Sequence, residues 1–219
     1  AVRTARVGAV RAPVVALAVA LAALAAFTLL ALAVNSGNAT LAAWDAGIGR
    51  ALAVVRSTPV GQALAGLSAV HAPRGIVALT ALAALGLALL RRRAEIAPLL
   101  ASVLGGATLN HLLKHGIQRP RPGLEQALGV ATDFSFPSGH VANATLLYGT
   151  LAALVLVGTR SRLRAAGAVA LALLLVGAVA CSRVVLGAHH PSDVVAGMLV
   201  GLAWTAACVA AFEALRRSG

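Results

Sequence analysis

The sequence predicts an all-α integral membrane bundle of six transmembrane helices, and three observations carry that expectation. Hydrophobic residues fill 60% of the 219 positions and charged residues only 11%, against about 25% charged in an ordinary soluble domain. Six apolar runs approach or reach the roughly 17–25 residues that a tilted span needs. Arginine clusters stand before the first run and after every second one.

Arg11 to Val34 is the first run. It is too long for the roughly 7–15-residue core of a signal peptide, and an uncleaved helix is expected. About Gly75 to Leu90, Ile96 to Leu113, Val141 to Thr159, Ala165 to Val185 and Asp193 to Leu215 complete the six. With one Tyr, two Trp and four Phe, the apolar mass is Ala, Leu and Val, which suits helices packed closely through small side chains in lipid. One membrane domain over residues 1–219 is expected, with no soluble appendage. Between the first two runs, Leu41, Trp44, Ile48, Leu52 and Val55 recur at helical spacing while Asp45, Arg50 and Arg56 take other positions. That segment, about 41–60, predicts a helix lying in the interface or packed on the bundle, and it is assigned no chemistry.

The basic clusters set the orientation. Arg3, Arg6 and Arg11, then Arg91 to Arg93, then Arg160, Arg162 and Arg164, then Arg216 and Arg217 all fall on one side of a six-span topology. By the positive-inside rule that side, with both termini, is cytoplasmic in a cell membrane. Residues 35 to 74, 114 to 140 and 186 to 192 then face outward. The net charge of +12 does not indicate nucleic acid, because the basic residues lie in short loops rather than on one solvated face. Membrane lipids, whose anionic headgroups arginine meets, are the expected surroundings. Cys181 and Cys208 sit inside apolar runs without metal-ligand spacing, which implies neither a disulfide framework nor a zinc site.

Three polar clusters occupy span ends on the outward side, where such residues are expensive near hydrocarbon. Lys114, the only lysine in the chain, is followed by His115, Arg119-Pro120 and Arg121-Pro122; the prolines stiffen the chain that carries Arg121. Pro137-Ser138-Gly139-His140 opens the fourth run, where free backbone N–H groups and the positive helix end suit an anion and Gly139 permits its close approach. Ser182-Arg183 ends the fifth run and His189-His190-Pro191-Ser192-Asp193 opens the sixth. One helical turn separates His189 from Asp193, so the carboxylate can fix the tautomer and leave the other ring nitrogen free to attack. Taken singly, each cluster also has a structural reading as a headgroup anchor or helix cap. Together they supply a nucleophile, a proton donor and positive charge for equatorial oxygens, the requirements of phosphoryl transfer.

On these residues the chain resembles the type 2 phosphatidic acid phosphatase superfamily, and all three of that family's motifs are complete. Lys114, Arg121 and Pro122 match the first, Pro137 to His140 the second, and Ser182, Arg183, His189 and Asp193 the third. The resemblance, centred on residues 114–193, implies His189 as nucleophile, Asp193 as its orienting partner, and His140 as general acid and then base. Lys114, Arg121, Ser138, Gly139 and Arg183 would hold the phosphate. It also implies a metal-independent hydrolase without cofactor, acting on an isoprenoid or glycerolipid phosphate or diphosphate through a phosphohistidine. The Ala- and Arg-rich composition is that of a high-GC bacterial chain, which points by association to cell-envelope lipid metabolism. Soluble vanadium haloperoxidases share the pattern but not the membrane character. His71, His111, His115, His190 and Arg119 receive no role, and no oligomeric state follows.

A proton-coupled transporter or channel using His140, His189 and Asp193 is the alternative. The middle parts of the spans carry no Asp, Glu, Lys, Arg or His to continue such a relay.

Overall fold

The computed structural model describes residues 2–122 and 133–218, with side chains from 13 to 122 and from 133 to 216. Among the described residues it is helical with no strand. In chain order the helices are α1 (Val2–Asn35), α2 (Ala39–Ala53), α3 (Pro59–Val70), α4 (Pro73–Leu89), α5 (Ile96–Ile117), α6 (Gly139–Gly158), α7 (Arg162–Val185) and α8 (Pro191–Ser218). A short 3-10 turn, Arg93–Glu95, precedes α5.

Local chemistry sets the boundaries. The Asn38 side chain accepts from the Leu41 N–H at 2.9 Å and starts α2. Thr58 accepts from Gly61 N–H at 3.3 Å ahead of Pro59 and starts α3. Ser161 does the same for α7 through Arg164 N–H at 3.3 Å. Pro73 and Pro191 sit at first helical positions, where a missing N–H costs nothing. At the end of α7, Gly187 takes φ +70°, and a Cβ there would lie 2.4 Å from the Arg56 guanidinium. The positive φ favours glycine there, while the guanidinium end of Arg56 could give way.

Among the described residues five helices are long and apolar enough to cross a membrane, and α3 with α4, bent by 66°, makes a sixth if counted as one span. The expected run Gly75 to Leu90 corresponds to α4, which has 17 residues and meets the length and hydropathy of a span only together with α3. Pro73 causes the break, because its ring excludes the helical conformation of the residue before it. Exposed Leu17, Leu21 and Leu24 on α1 and Leu171, Leu173 and Leu174 on α7 form outward apolar faces suited to lipid.

The most buried crossing is α6. Val141 and Ala144 meet Val176, Val179, Ala180 and Val184 of α7, together with Val194 of α8. Leu146, Leu147 and Leu154 meet Leu99 and Val103 of α5 with Ile76 and Leu87 of α4. On the far side Phe27, Leu30 and Val34 of α1 pack on Ala196, Leu199 and Val200 of α8, so these two helices run antiparallel. Close approach of α6 and α8 needs Gly197, whose Cβ would lie 2.6 Å from the Ser138 carbonyl oxygen, and Gly201, whose Cβ would lie 2.6 Å from Thr145 Cβ.

Candidate active site

Alternating helix direction brings the C-terminal ends of α5 and α7 beside the N-terminal ends of α6 and α8. Lys114 closes α5, Ser138 and His140 open α6, Arg183 closes α7, and His189 and Asp193 flank the start of α8. With Arg121 beside His189 and Gly139 beside Lys114, the eight residues expected to act in catalysis or phosphate binding therefore share one end of the bundle. Arg92 and Arg93, Arg160, Arg162, Arg164 and Arg216 lie at the other end; the side chains of Arg3, Arg6, Arg11 and Arg217 lie outside the described residues.

His189 and Asp193 form the centre. The Asp193 side chain is fully buried and His189 nearly so, with His189 Nδ1 3.5 Å from Asp193 Oδ2. That contact is longer than a good hydrogen bond, but it turns Nδ1 to the carboxylate and leaves Nε2 directed away from it. Burial lowers the pKa of His189 below the ordinary imidazole value, and the Asp193 contact offsets only part of that. The lowered pKa favours the neutral ring. The Ser138 N–H donates to the Asp193 carbonyl at 2.9 Å, which docks the start of α6 on that of α8. Ser138 Oγ is buried and has no hydrogen-bond partner among the described residues.

The cations converge from three elements. Lys114 is buried, donates to the Phe134 carbonyl, and pairs with Asp133 Oδ2 at 3.0 Å. An ammonium has three donors, so one remains for a ligand. Burial would raise the pKa of Asp133, but the hydrogen bond and charge of Lys114 outweigh that and hold the carboxyl below the usual range. Arg121 donates through Nε to Asp133 O at 2.9 Å and through NH1 to Ala188 O at 3.2 Å, beside His189. Arg183 is buried at the end of α7 and donates to Ser68 Oγ at 2.6 Å. Gly139 lies between these groups; a Cβ there would meet Asn110 Nδ2 at 3.5 Å and Lys114 Cε at 3.8 Å. His140, Arg183, Arg121 and His189 lie within electrostatic range of one another.

Four participants carried no motif signal. Asp45 of α2 is only 3% exposed and accepts from the Ser192 N–H at 2.9 Å, Ser192 Oγ at 2.5 Å and Arg119 NH2 at 2.8 Å. Arg119 also donates through NH1 to Asp193 Oδ1 at 2.6 Å. Ser68 and Asp133 are the others. An isolated acid among Ala and Gly on a helix is the one sequence feature that could have drawn notice to Asp45.

The remaining histidines are structural or peripheral. His71 is buried where α3 meets α4; its Nδ1 lies 2.8 Å from Leu67 O and its Nε2 2.7 Å from the Tyr148 hydroxyl. With Nδ1 donating to the carbonyl, Nε2 accepts from tyrosine. His111, His115 and Phe134 form an edge-to-face row beside the site. His190 contributes its main-chain N–H to Asp193 Oδ2 at 2.8 Å.

Against known proteins, the model of the PAP2 superfamily matches residues 95–217. The chain belongs to the PAP2 superfamily. It is 38% identical over 125 residues to decaprenylphosphoryl-5-phosphoribose phosphatase of Mycobacterium tuberculosis, a match covering 55% of this chain and 63% of that relative's length. It is 28% identical over 181 residues to phosphatidylglycerophosphatase B of Bacillus subtilis, covering 80% of this chain and 86% of the relative. The crystal structure of a transmembrane PAP2-type phosphatidylglycerolphosphate phosphatase from Bacillus subtilis superposes with a TM-score of 0.77 at 23% identity, over 91% of this chain and 96% of the other. That likeness shows the shared fold.

Proposed function

We propose that this PAP2 protein is a lipid phosphate phosphatase that works through a phosphohistidine on His189. The observation that carries the reading is the His189 imidazole held against Asp193 by Nδ1 while Lys114, Arg121 and Arg183 gather around it. In the first step His189 Nε2 forms a bond to phosphorus as the bond to the lipid oxygen breaks, and His140 gives that oxygen its proton. In the second step His140 takes a proton from water, whose oxygen displaces Nε2 and releases inorganic phosphate. Lys114, Arg121, Arg183, Ser138 and the backbone at Gly139 hold the equatorial oxygens, with arginine supplying a planar fork. Because these cations can balance the developing charge, no divalent ion is assigned.

The substrate is an isoprenoid or glycerolipid phosphate or diphosphate, a class supported by the activities for which the two phosphatase relatives are named. The site faces outward, with both termini cytoplasmic, because the arginine-rich ends lie opposite to it. Residues 1–219 act as a single domain.

A release assay tests this on detergent-solubilised protein, comparing an isoprenoid diphosphate, phosphatidic acid and phosphatidylglycerol phosphate, each with and without EDTA. Phosphate release from one of these lipids that survives EDTA and is inhibited by vanadate is expected. No release from any of them, or turnover that needs added magnesium, would refute the proposal.

A further inference from the structure

We infer that Asp45 of α2 and Arg119 are positioning residues for His189, acting through the carboxylate of Asp193. The inference rests on the phosphohistidine reading above and extends it to a helix outside residues 95–217, the stretch matched by the family model.

The bonds form a continuous path. Arg119 reaches Asp193 Oδ1 with NH1 at 2.6 Å and Asp45 Oδ2 with NH2 at 2.8 Å, so one guanidinium bridges two carboxylates. Ser192 closes the circuit: its hydroxyl donates to Asp45 Oδ2 at 2.5 Å and accepts from Arg119 NH1 at 2.7 Å, while its N–H donates to Asp45 Oδ1 at 2.9 Å. Asp45, Ser192 and Asp193 are all at most 5% exposed. In such surroundings charges act on one another far more strongly than at a wetted surface.

Two consequences for His189 follow. Geometrically, Arg119 pins Oδ1 and the His190 N–H pins Oδ2 at 2.8 Å. The carboxylate plane cannot rotate, and Oδ2 stays turned to His189 Nδ1. Electrostatically, a lone arginine against Asp193 would cancel the negative charge that supports the imidazolium-like ring during phosphoryl transfer. Asp45 shares the guanidinium, so the three charged groups together keep one net negative charge beside His189. A carboxylate that merely anchored α2 would need only Ser192; the second bond to Arg119 is what carries its influence to the dyad.

A double-mutant cycle separates positioning from simple structural support. Asp45→Asn should lower kcat about 10- to 100-fold, the usual effect of losing an outer partner of a buried ligand set, with KM moving less than about threefold because the phosphate-binding cations are untouched. In an Asp193→Asn background the same change should cost less than about threefold, since the carboxylate it works through is gone. Equal losses in both backgrounds would overturn the inference. Should Asp45→Asn fail to fold, the paired variant Asp45→Leu/Arg119→Met removes one buried charge of each sign, leaves Asp193 the His190 N–H, and carries the same cycle, with the same outcomes for and against. A wild-type chain without phosphatase activity would instead bring down the proposed function. An active wild type whose losses multiply brings down this inference only.

Discussion

Arg183 donates to Ser68 Oγ at 2.6 Å, across 115 residues of sequence, so the arginine proposed to bind phosphate is held by a helix that has no part in the motifs. Ser68→Ala should therefore lower kcat/KM about tenfold, the effect of about 1.4 kcal/mol and the low end for a hydrogen bond to a charged group. The loss should appear mainly in KM. Steady-state kinetics check it; an unchanged kcat/KM would show that Arg183 is positioned without Ser68.

The two site histidines should separate in a trapping experiment. His189→Ala should abolish turnover and the acid-labile phosphoenzyme together. His140→Ala should slow turnover about 10²- to 10⁴-fold, the scale of general acid–base catalysis. With a nitrophenyl leaving group, which needs no proton, phosphoenzyme should still form in His140→Ala and then persist. Wild-type labelling in His189→Ala would mean that another residue is the nucleophile.

Acid should inhibit late. Burial holds the His189 pKa below its ordinary value, so the nucleophile stays neutral below pH about 6.5, the ordinary imidazole value. The acid limb of kcat/KM, after division by the substrate's own phosphate ionisation measured by phosphorus NMR, should fall below that value. Asp193 raises the His189 pKa, so Asp193→Asn should move the limb further down while lowering the rate. A limb at or above 6.5 in the wild type would contradict the buried, neutral ring.

Gly197 offers a packing test. Adding a methyl 2.6 Å from the Ser138 carbonyl oxygen meets main chain that cannot turn aside, and Gly197→Ala should destabilise by about 1–3 kcal/mol, as overpacking does. Activity should fall as well, because the displaced strand of chain carries Ser138 and Gly139. Gly177→Ala is the control: nothing lies within 4 Å of its Cβ. Thermal unfolding in detergent, with phosphate release in parallel, reads both.

Sidedness can be read by cysteine scanning in a chain whose Cys181 and Cys208 are replaced by Ala. An impermeant reagent should label Gln118→Cys in intact cells and leave Arg162→Cys unlabelled. The reverse pattern would invert the orientation derived from the arginine clusters.

Much of this architecture is legible in the sequence because its residues advertise themselves by type and spacing. Lys114, His140, Arg183, His189 and Asp193 are ionisable groups at the ends of apolar runs, where chance placement is costly, and the structure gathers them at one end of the bundle. Asp45 is silent for a physical reason. It sits on a helix whose strongest pattern is the apolar stripe through Trp44 and Ile48, and in the fold those side chains point outward, at 67% and 37% exposed, while the acid turns in. Arg119 is masked by its neighbour, since Arg119-Pro120 and Arg121-Pro122 are the same dipeptide twice and the motif claims only the second. The bend between α3 and α4 escaped because averaged hydropathy passes over a proline, whereas the backbone does not.

The circuit from Asp45 to Ser192 also constrains how the chain is made. Its two ends are 147 residues apart, which at about 5–20 residues per second is about 7–30 s of synthesis. Throughout that interval the carboxylate on α2 lacks its serine, and for the first 74 residues of it its arginine as well, so the cheapest place for it is the wet headgroup layer. The surroundings of His189 are complete only once α8 is in place. A nascent chain stalled before α8 lacks Ser192 and Asp193, so the hydrolysis proposed above would wait for that helix.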